Sequence, residues 1–194
     1  SGGKMVYNQE LKREIPEGWV IKNIGQISKV SAGGDKPKQF SLNKTDRYNI
    51  PIYSNGIYNE GLYGYTNSAI IDKQSITISA RGTIGYSVLR NKPFVPIIRL
   101  IVVLPYEYES TLYIFQSIKK INFNKSGSVQ NQLTVPQVSD ISIIYPPLEI
   151  MKNFSALIAS SFNYQEILKE QNNELTELRD WLLPMLMNGQ VKVK

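Results

Sequence analysis

Apolar residues recur at heptad spacing over the last quarter of the chain. Leu148 to Leu183 contains no Gly or Pro, and two rows of positions with a seven-residue repeat define an a/d seam. The first row is Phe154, Ser161, Leu168, Leu175 and Leu182, and the second is Ile150, Leu157, Tyr164, Gln171 and Leu178. This pattern predicts one long helix over residues 147–183.

Such a helix would be on the order of 50 Å long, more than one small domain can cover, so its seam requires a partner helix. An antiparallel or dimeric coiled coil is therefore expected, and the alternative is a helix that folds back on its own domain. Polar residues on the seam favour a defined register over a dry, permanent zipper. The residues predicted to form the dimer contact are Phe154, Leu157, Leu168, Leu175, Leu178 and Leu182.

The boundaries of this helix follow from its flanking residues. Pro146-Pro147 precede it, and Glu149 suits the positive end of the helix dipole. Pro184 is expected to end or kink the regular helix, and Gly189 to stop one last turn. Residues 184–194 are thus a short terminal turn and tail.

The preceding residues have a different pattern, with short β-type runs separated by Gly, Asn and Pro. These runs are Ile50–Tyr53, Ala69–Ile71, Ser75–Ser79, Tyr86–Leu89 and Arg99–Leu104. Helical spacing predicts a helix within Glu107–Ile121, and Gln137–Tyr145 returns to a strand pattern. The fold class expected is α+β, with a polar lead-in over residues 1–14, a strand-rich domain over residues 15–146 and the C-terminal helix.

The composition excludes several kinds of chemistry. The chain has no Cys and no His, which rules out disulfides, zinc sites built from these residues, Ser-His-Asp triads and Cys-His dyads. Gly33-Gly34-Asp35-Lys36 lacks the Gly-Lys-Ser/Thr of a Walker loop. Gly82-Thr83-Ile84-Gly85 lies between two strand patterns and is expected to be a hairpin turn. We therefore predict no catalytic residue, no metal and no cofactor.

Charge is distributed unevenly along the chain. Residues 1–148 contain 17 basic residues (Lys and Arg) and 10 acidic residues (Asp and Glu). Residues 149–194 contain 5 basic and 6 acidic residues. A basic domain suits a polyphosphate partner, although a net charge of this size also serves solubility. No apolar run approaches the roughly 18 residues of a transmembrane helix, so no membrane partner is predicted. No signal-peptide pattern follows Ser1, so the expected location is the cytoplasm.

Six tyrosines lie between residues 48 and 86, interleaved with asparagines and arginines. Arg and Asn side chains can pair with guanine and adenine edges, and Lys and Tyr can contact phosphate. Tyrosines also pack in strands, and the Ser126–Gln132 segment is equally typical of a flexible loop. The DNA-binding residues predicted from chemistry and loop position are Lys36, Lys38, Arg47, Asn55, Tyr58, Asn59, Arg81, Thr83, Ser128, Gln130 and Asn131.

Motifs along nearly the whole chain follow the order found in a known family. These motifs are Gly2–Asn8, Glu14–Trp19, Asn49–Tyr53, Ile76–Gly85, Ser126–Leu133, Ile143–Glu149 and Leu178–Gly189. In this order they resemble one half of the specificity subunit of type I restriction–modification systems. The resemblance implies a target recognition domain followed by a spacer helix.

The resemblance also implies partners. Double-stranded DNA would be bound by this chain, methylation would belong to modification subunits, and ATP-driven cleavage would belong to a restriction subunit. Family members usually carry two recognition domains that read a bipartite target. One domain and one helix would therefore be either a half-subunit that forms a homodimer or the C-terminal half of a longer chain.

Two other functions stay open at this stage. The chain could be the recognition tail of a single-chain restriction–methylation enzyme, or a coiled-coil adaptor whose N-terminal domain binds protein.

Overall fold

The structure is a computed structural model that describes residues 3–9, 11–123 and 132–190. It divides into two compact units, the first ending at Lys152 and the second beginning at Asn153. The first unit contains strands and short helices. The second consists of the greater part of one long helix. The class is therefore α+β, as the sequence pattern predicts.

The strands of the first unit are short, as expected from runs that are interrupted by Gly, Asn and Pro. They are β1 (Met5–Asn8), β2 (Arg13–Pro16), β3 (Val20–Asn23), β4 (Ser28–Ala32), β5 (Ile50–Tyr53), β6 (Leu62–Thr66), β7 (Ser75–Ile78), β8 (Ser87–Arg90), β9 (Val95–Pro96), β10 (Ile101–Pro105) and β11 (Ser142–Tyr145). The helices are α1 (Ile24–Ile27), α2 (Thr111–Lys119), α3 (Val135–Ser139) and α4 (Leu148–Met187).

An antiparallel sheet of four strands, in the order β4-β10-β7-β8, forms the centre of the domain. Every residue of β7 and β8 is buried, which is typical of strands covered on both faces. Helix α2 supplies part of the cover through Leu112, Phe115 and Ile118, which are buried as their helical spacing predicts. Tyr108 has the same helical spacing and lies within the predicted helix, but it is exposed because the α-helix begins only at Thr111.

A second sheet has the order β6-β5-β9, and its β5 and β9 strands run parallel. Ile52, Val95 and Ile97 form its buried apolar cluster, against which Phe40 and Tyr63 pack. Strand β9 is followed directly by a turn into β10. This connection joins the second sheet to the central one.

The remaining strands form two pairs. Strand β11 pairs with β3 and so brings the residues before α4 back to the beginning of the domain. Strand β1 pairs with β2 in antiparallel register, from Met5 opposite Pro16 to Asn8 opposite Arg13. Most of this strand pair lies within the segment predicted as a polar lead-in, and the side chain of Ile15 in β2 is buried.

Several predicted elements differ from the structure in detail. Ala69–Ile71 is not a strand and contributes only an isolated bridge between Ile71 and Phe94. The predicted strand over Gln137–Tyr145 begins instead as α3, whose first turn is closed by a capping box between Thr134 and Gln137. The hairpin turn predicted at Gly82–Gly85 is confirmed, since it joins the antiparallel strands β7 and β8.

Helix α4 has 40 residues, equivalent to about 60 Å at 1.5 Å per residue. It continues three residues beyond Pro184, which the sequence pattern placed at its regular end, and it finishes before Gly189. Met151 in its first turn is fully buried, so α4 begins as part of the first compact unit. No helix in the described ranges is both long and apolar enough to cross a membrane.

The predicted seam of α4 is largely exposed in the single chain. Leu157 is 79% exposed and Leu175 is 62% exposed, and Leu168 and Leu178 are exposed as well. Large apolar side chains in this number on one helix indicate a surface that another element covers. The coiled coil and the dimer stay predictions.

Candidate nucleic-acid interface

Strand register brings four loops to one end of the domain. Ile101 at the beginning of β10 lies opposite both Ala32 at the end of β4 and Ile78 at the end of β7, and Ile78 lies opposite Ser87 at the beginning of β8. The parallel pairing of β5 with β9 directs the loop after Tyr53 toward the same end. The four loops comprise residues 33–38, 54–61, 79–86 and 97–100, and we call this end the loop surface.

The 54–61 loop is a closed turn with an exposed tip. The Ser54 N–H donates to the Gly61 carbonyl at 2.8 Å, and Asn59, Glu60 and Gly61 all have positive φ. Gly61 is required because a Cβ there would overlap the Ser54 carbonyl oxygen. Tyr58 at the tip is 91% exposed, so the loop presents an aromatic side chain and an amide to solvent.

A buried arginine holds this strained corner. Arg90 of β8 is 5% exposed, and its Nη2 donates to the Glu60 carbonyl at 2.6 Å while its Nη1 forms an ion pair with the Glu60 carboxylate at 3.3 Å. Its Nε donates to Thr77 Oγ1, and the guanidinium lies 3.6 Å from the centroid of the Tyr53 ring. Desolvation lowers the pKa of Arg90, opposed by the attraction of Tyr53 and Glu60. Arg90 thus holds the 54–61 loop in place from the buried side of that loop.

Asn55 connects three of the four loops. Its side-chain nitrogen donates to the Ile98 carbonyl at 2.6 Å, and its side-chain oxygen accepts from the Ala80 N–H at 2.7 Å. The Gly56 N–H adds a longer hydrogen bond to the Ser79 hydroxyl. The DNA contact predicted for Asn55 is untested. Its observed bonds give it a structural role in holding the loops together.

The 97–100 turn connects β9 to β10 through two residues with positive φ, Ile98 at 52° and Arg99 at 59°. The Leu100 N–H donates to the Ile97 carbonyl at 3.0 Å and closes the turn. Positive φ at a β-branched residue is a genuine outlier and costs on the order of 1–3 kcal/mol. Ile98 is 49% exposed, and Arg99 is exposed too.

The 79–86 loop carries Arg81, whose Nε and Nη2 donate to Gln132 Oε1 at 2.9 and 2.6 Å. The Leu133 N–H donates to the Ala80 carbonyl. Thr83 is exposed at the turn itself, two residues after Arg81. Arg81 and Thr83 therefore lie on the loop surface, as their predicted role requires.

Lys36 lies on the 33–38 loop in an aromatic corner. Its Nζ is 4.1 Å from the centroid of the Phe40 ring and 3.4 Å from the Tyr63 hydroxyl. Lys38 is exposed two residues further on. Arg47 lies outside the four loops, on the segment between β4 and β5, where it stands over the Tyr48 ring. Of the remaining predicted residues, Ser128, Gln130 and Asn131 lie outside the described residues.

The predicted DNA-binding residues do not include Ile98 and Arg99 of this surface, or the buried Arg90 beneath it. Arg99 was assigned to a strand, since Ile97–Leu104 is an apolar run with no Gly, Asn or Asp to indicate a turn. Within the described residues no carboxylate pairs with Arg99. Within the described residues, the loop surface thus carries a guanidinium without a carboxylate partner. Sequence periodicity did not predict that this arginine lies on a turn.

The charged groups of the loop surface are mostly cationic. It presents Lys36, Lys38, Arg81 and Arg99 as cations. Of its two carboxylates, Glu60 is engaged by Arg90 and Asp35 is exposed. Among the described residues no group of acidic side chains is arranged to hold a metal ion. Guanidinium, hydroxyl and amide groups on rigid loops can contact phosphates and base edges.

The comparison with known families agrees with this geometry. The family described as the type I restriction modification DNA specificity domain matches residues 16–177. The chain belongs to this family. The match includes the four loops and most of α4.

Individual relatives give the same result. The chain is 34% identical over 166 residues to a protein of Mycoplasma pneumoniae classified as a type I specificity subunit, covering 85% of this chain and 50% of that protein. It is 26% identical to the specificity subunit of the type I restriction enzyme HindI of Haemophilus influenzae, covering 91% of this chain and 42% of the relative. The chain therefore spans about half the length of these curated relatives.

The fold is also that of a solved relative. The crystal structure of a type I restriction–modification S subunit from M. genitalium superposes with a TM-score of 0.70 at 17% identity, over 86% of this chain and 45% of that one. The chain thus covers slightly less than half of that subunit.

Proposed function

We propose that this chain recognises a DNA sequence on behalf of the methyltransferase and endonuclease subunits of a type I restriction–modification complex. The observation that carries the proposal is the convergence of four loops, with exposed Lys, Arg and Tyr side chains, at one end of a domain from this family. A bipartite target would follow from two such domains acting together.

The loop surface performs two tasks in this proposal. Lysines such as Lys36 and Lys38 attract the phosphate backbone electrostatically. This attraction weakens with salt and does not depend on the DNA sequence. Arg81, Arg99 and the Tyr58–Asn59 tip lie on loops whose backbones are held by hydrogen bonds from neighbouring residues, and such fixed groups can discriminate base edges. Affinity and specificity thus come from different side chains.

Catalysis belongs to partner subunits in this proposal, and the chain itself is not an enzyme. Methylation would be performed by modification subunits, and cleavage by an ATP-dependent restriction subunit. The chain determines which DNA sequence is modified or cleaved, and its own residues perform no chemical step.

Helix α4 sets the spacing of the two recognition domains. Its exposed leucines would pair with a second copy in a homodimer, or with the helix of a second recognition domain in a longer chain. In the homodimer, two-fold symmetry makes the target palindromic in outline. The length of the helix then determines the unread gap between the two half-sites.

Methylome sequencing tests the proposal. The chain is expressed with the modification subunits of its own system in a host that lacks other methyltransferases, and cells with the modification subunits alone are the control. We expect a defined split motif to be methylated only when the chain is present. Methylation of the same motif without the chain, or of none with it, would reject the proposal.

Salt titration separates DNA recognition from the adaptor alternative. The assembled complex is titrated with a duplex that contains the methylated motif, between about 50 and 200 mM salt. A logarithmic affinity slope that corresponds to several released counterions is expected. An adaptor that binds only protein would leave the DNA affinity of the modification subunits unchanged.

A further inference from the structure

We infer that the 97–100 turn is a base-reading element, with Ile98 and Arg99 determining specificity at one base position and Asn55 acting as their positioning residue. This inference rests on the proposed function and deepens it. It assigns a specific role to residues that sequence patterns place inside a strand.

The turn adopts a backbone conformation that its own residues disfavour. β-Turns with positive φ at both central positions are dominated by Gly, Asn and Asp, whereas Ile98 and Arg99 occupy these positions here. Strain of this kind persists only where the surroundings over-determine the conformation, and it concentrates at functional sites. A turn needed only as a connection would be served better by Asn-Gly.

Hydrogen bonds from neighbouring loops hold the turn in this conformation. The Ile98 N–H donates to the Gly34 carbonyl at 2.9 Å, and the Arg99 N–H donates to the Gly33 carbonyl at 3.1 Å. The Ile98 carbonyl accepts from the Asn55 side chain at 2.6 Å. The 97–98 and 98–99 peptide groups of the turn are therefore fixed from neighbouring loops.

The hydrogen-bonded turn presents the apolar side chain of Ile98 beside the guanidinium of Arg99. Ile98 is half exposed although it follows the fully buried Ile97, and Arg99 has no carboxylate partner within the described residues. An aliphatic group can contact a thymine methyl, and a guanidinium can pair with guanine in the major groove. Phosphate attraction needs no such rigidity, so the rigid turn favours base readout.

Asn55 transmits the position of the 79–86 loop to this turn, because the same amide also accepts from the Ala80 N–H. Replacing it by Asp keeps the acceptor toward Ala80 but places a carboxylate oxygen against the Ile98 carbonyl. Asn55→Asp should therefore shift the turn without removing either base-reading side chain.

Arg99→Ala, Ile98→Gly and Asn55→Asp are tested by methylome sequencing with the modification subunits. We expect all three to relax the motif at the same single base position. In competition binding by the assembled complex, discrimination at that position should fall on the order of 10-fold. Lys73→Ala, just before β7, and Ile70→Ala are matched controls that remove an exposed cation and an exposed isoleucine near the end of β7 opposite the loop surface, and both should keep the wild-type motif.

Ile98→Gly guards against loss of folding as an explanation. Glycine accepts positive φ without strain, so this variant should melt at or above the wild-type temperature while its motif is relaxed. Variants that keep the wild-type motif would overturn the inference and leave the proposed function intact. Uniformly weaker methylation of an unchanged motif would assign Arg99 to phosphate and also overturn it. A wild-type chain that directs no methylation would remove the proposed function itself, and the inference with it.

Discussion

Gly33 and Gly34 are neighbours in sequence and provide a sharp test of how the loop surface is assembled. A Cβ added at Gly33 would lie 2.7 Å from both the carbonyl carbon and the oxygen of Pro96 and 2.8 Å from the Ile97 nitrogen. All three are backbone atoms, so no side-chain rotation relieves the overlap. A Cβ at Gly34 meets nothing within 4 Å.

The cost of Gly33→Ala follows from what must separate. The Gly33 N–H donates to the Leu100 carbonyl at 2.8 Å and the Gly33 carbonyl accepts from the Arg99 N–H at 3.1 Å, and each such bond contributes about 1 kcal/mol. If the alanine methyl group weakens both hydrogen bonds, the loss is about 2 kcal/mol. If both bonds are kept, the steric strain costs a similar amount of stability. For a chain of this size that corresponds to a melting temperature about 4–8 °C lower.

Thermal unfolding followed by circular dichroism measures this difference. Gly34→Ala is the matched control and should melt at or slightly above the wild-type temperature, since it only reduces the freedom of the unfolded chain. If the two variants melted within about 1 °C of each other, the close approach of Gly33 to the Pro96–Ile97 backbone would be refuted.

Three further perturbations probe other parts of the structure. Arg90→Met should lower stability by about 3 kcal/mol, because it leaves the Glu60 corner without its buried partner, whereas Arg81→Met, on an exposed side chain, should change urea-denaturation stability by less than about 0.5 kcal/mol. Leu175→Glu on the exposed seam should give monomers in sedimentation, with Asn173→Glu on the outer face as the control; an unchanged dimer would reject the seam. Burial raises the pKa of the Tyr113 phenol, whose hydroxyl donates to a carbonyl of β11. Its contribution to stability is therefore complete below about pH 10 and lost as the pH rises further, so Tyr113→Phe should show a shallower decline in that range, and an equal decline would contradict this.

Local pattern predicted the elements whose hydrophobic period is regular. The runs at Ile50–Tyr53 and Ser75–Ser79 became β5 and β7, and the heptad positions became a single helix. These elements agree with prediction because their side-chain period and their burial have the same cause.

The loop surface was only partly predictable for a physical reason. Arg81 and Tyr58 lie next to Gly or Asn, which indicate turns, and both lie on this surface. The turn at Ile98 and Arg99 is imposed by hydrogen bonds from residues more than 40 positions away. Asn55 has the side chain of a base reader, yet its amide is used to hold backbone. Long-range contacts of this kind override local preference, and one sequence does not display them.

The most direct measurement of the central claim is photocrosslinking from two tyrosine positions on the same domain. Tyr58 lies at the tip of the loop surface and is 91% exposed, whereas Tyr106, also exposed, follows the opposite end of β10. Benzoylphenylalanine is placed at either position in the chain assembled with its modification subunits on a duplex that carries the methylated motif. The account predicts a crosslink to DNA within the motif from position 58 and none from position 106. Crosslinking from position 106 alone, or from both positions equally, would contradict it.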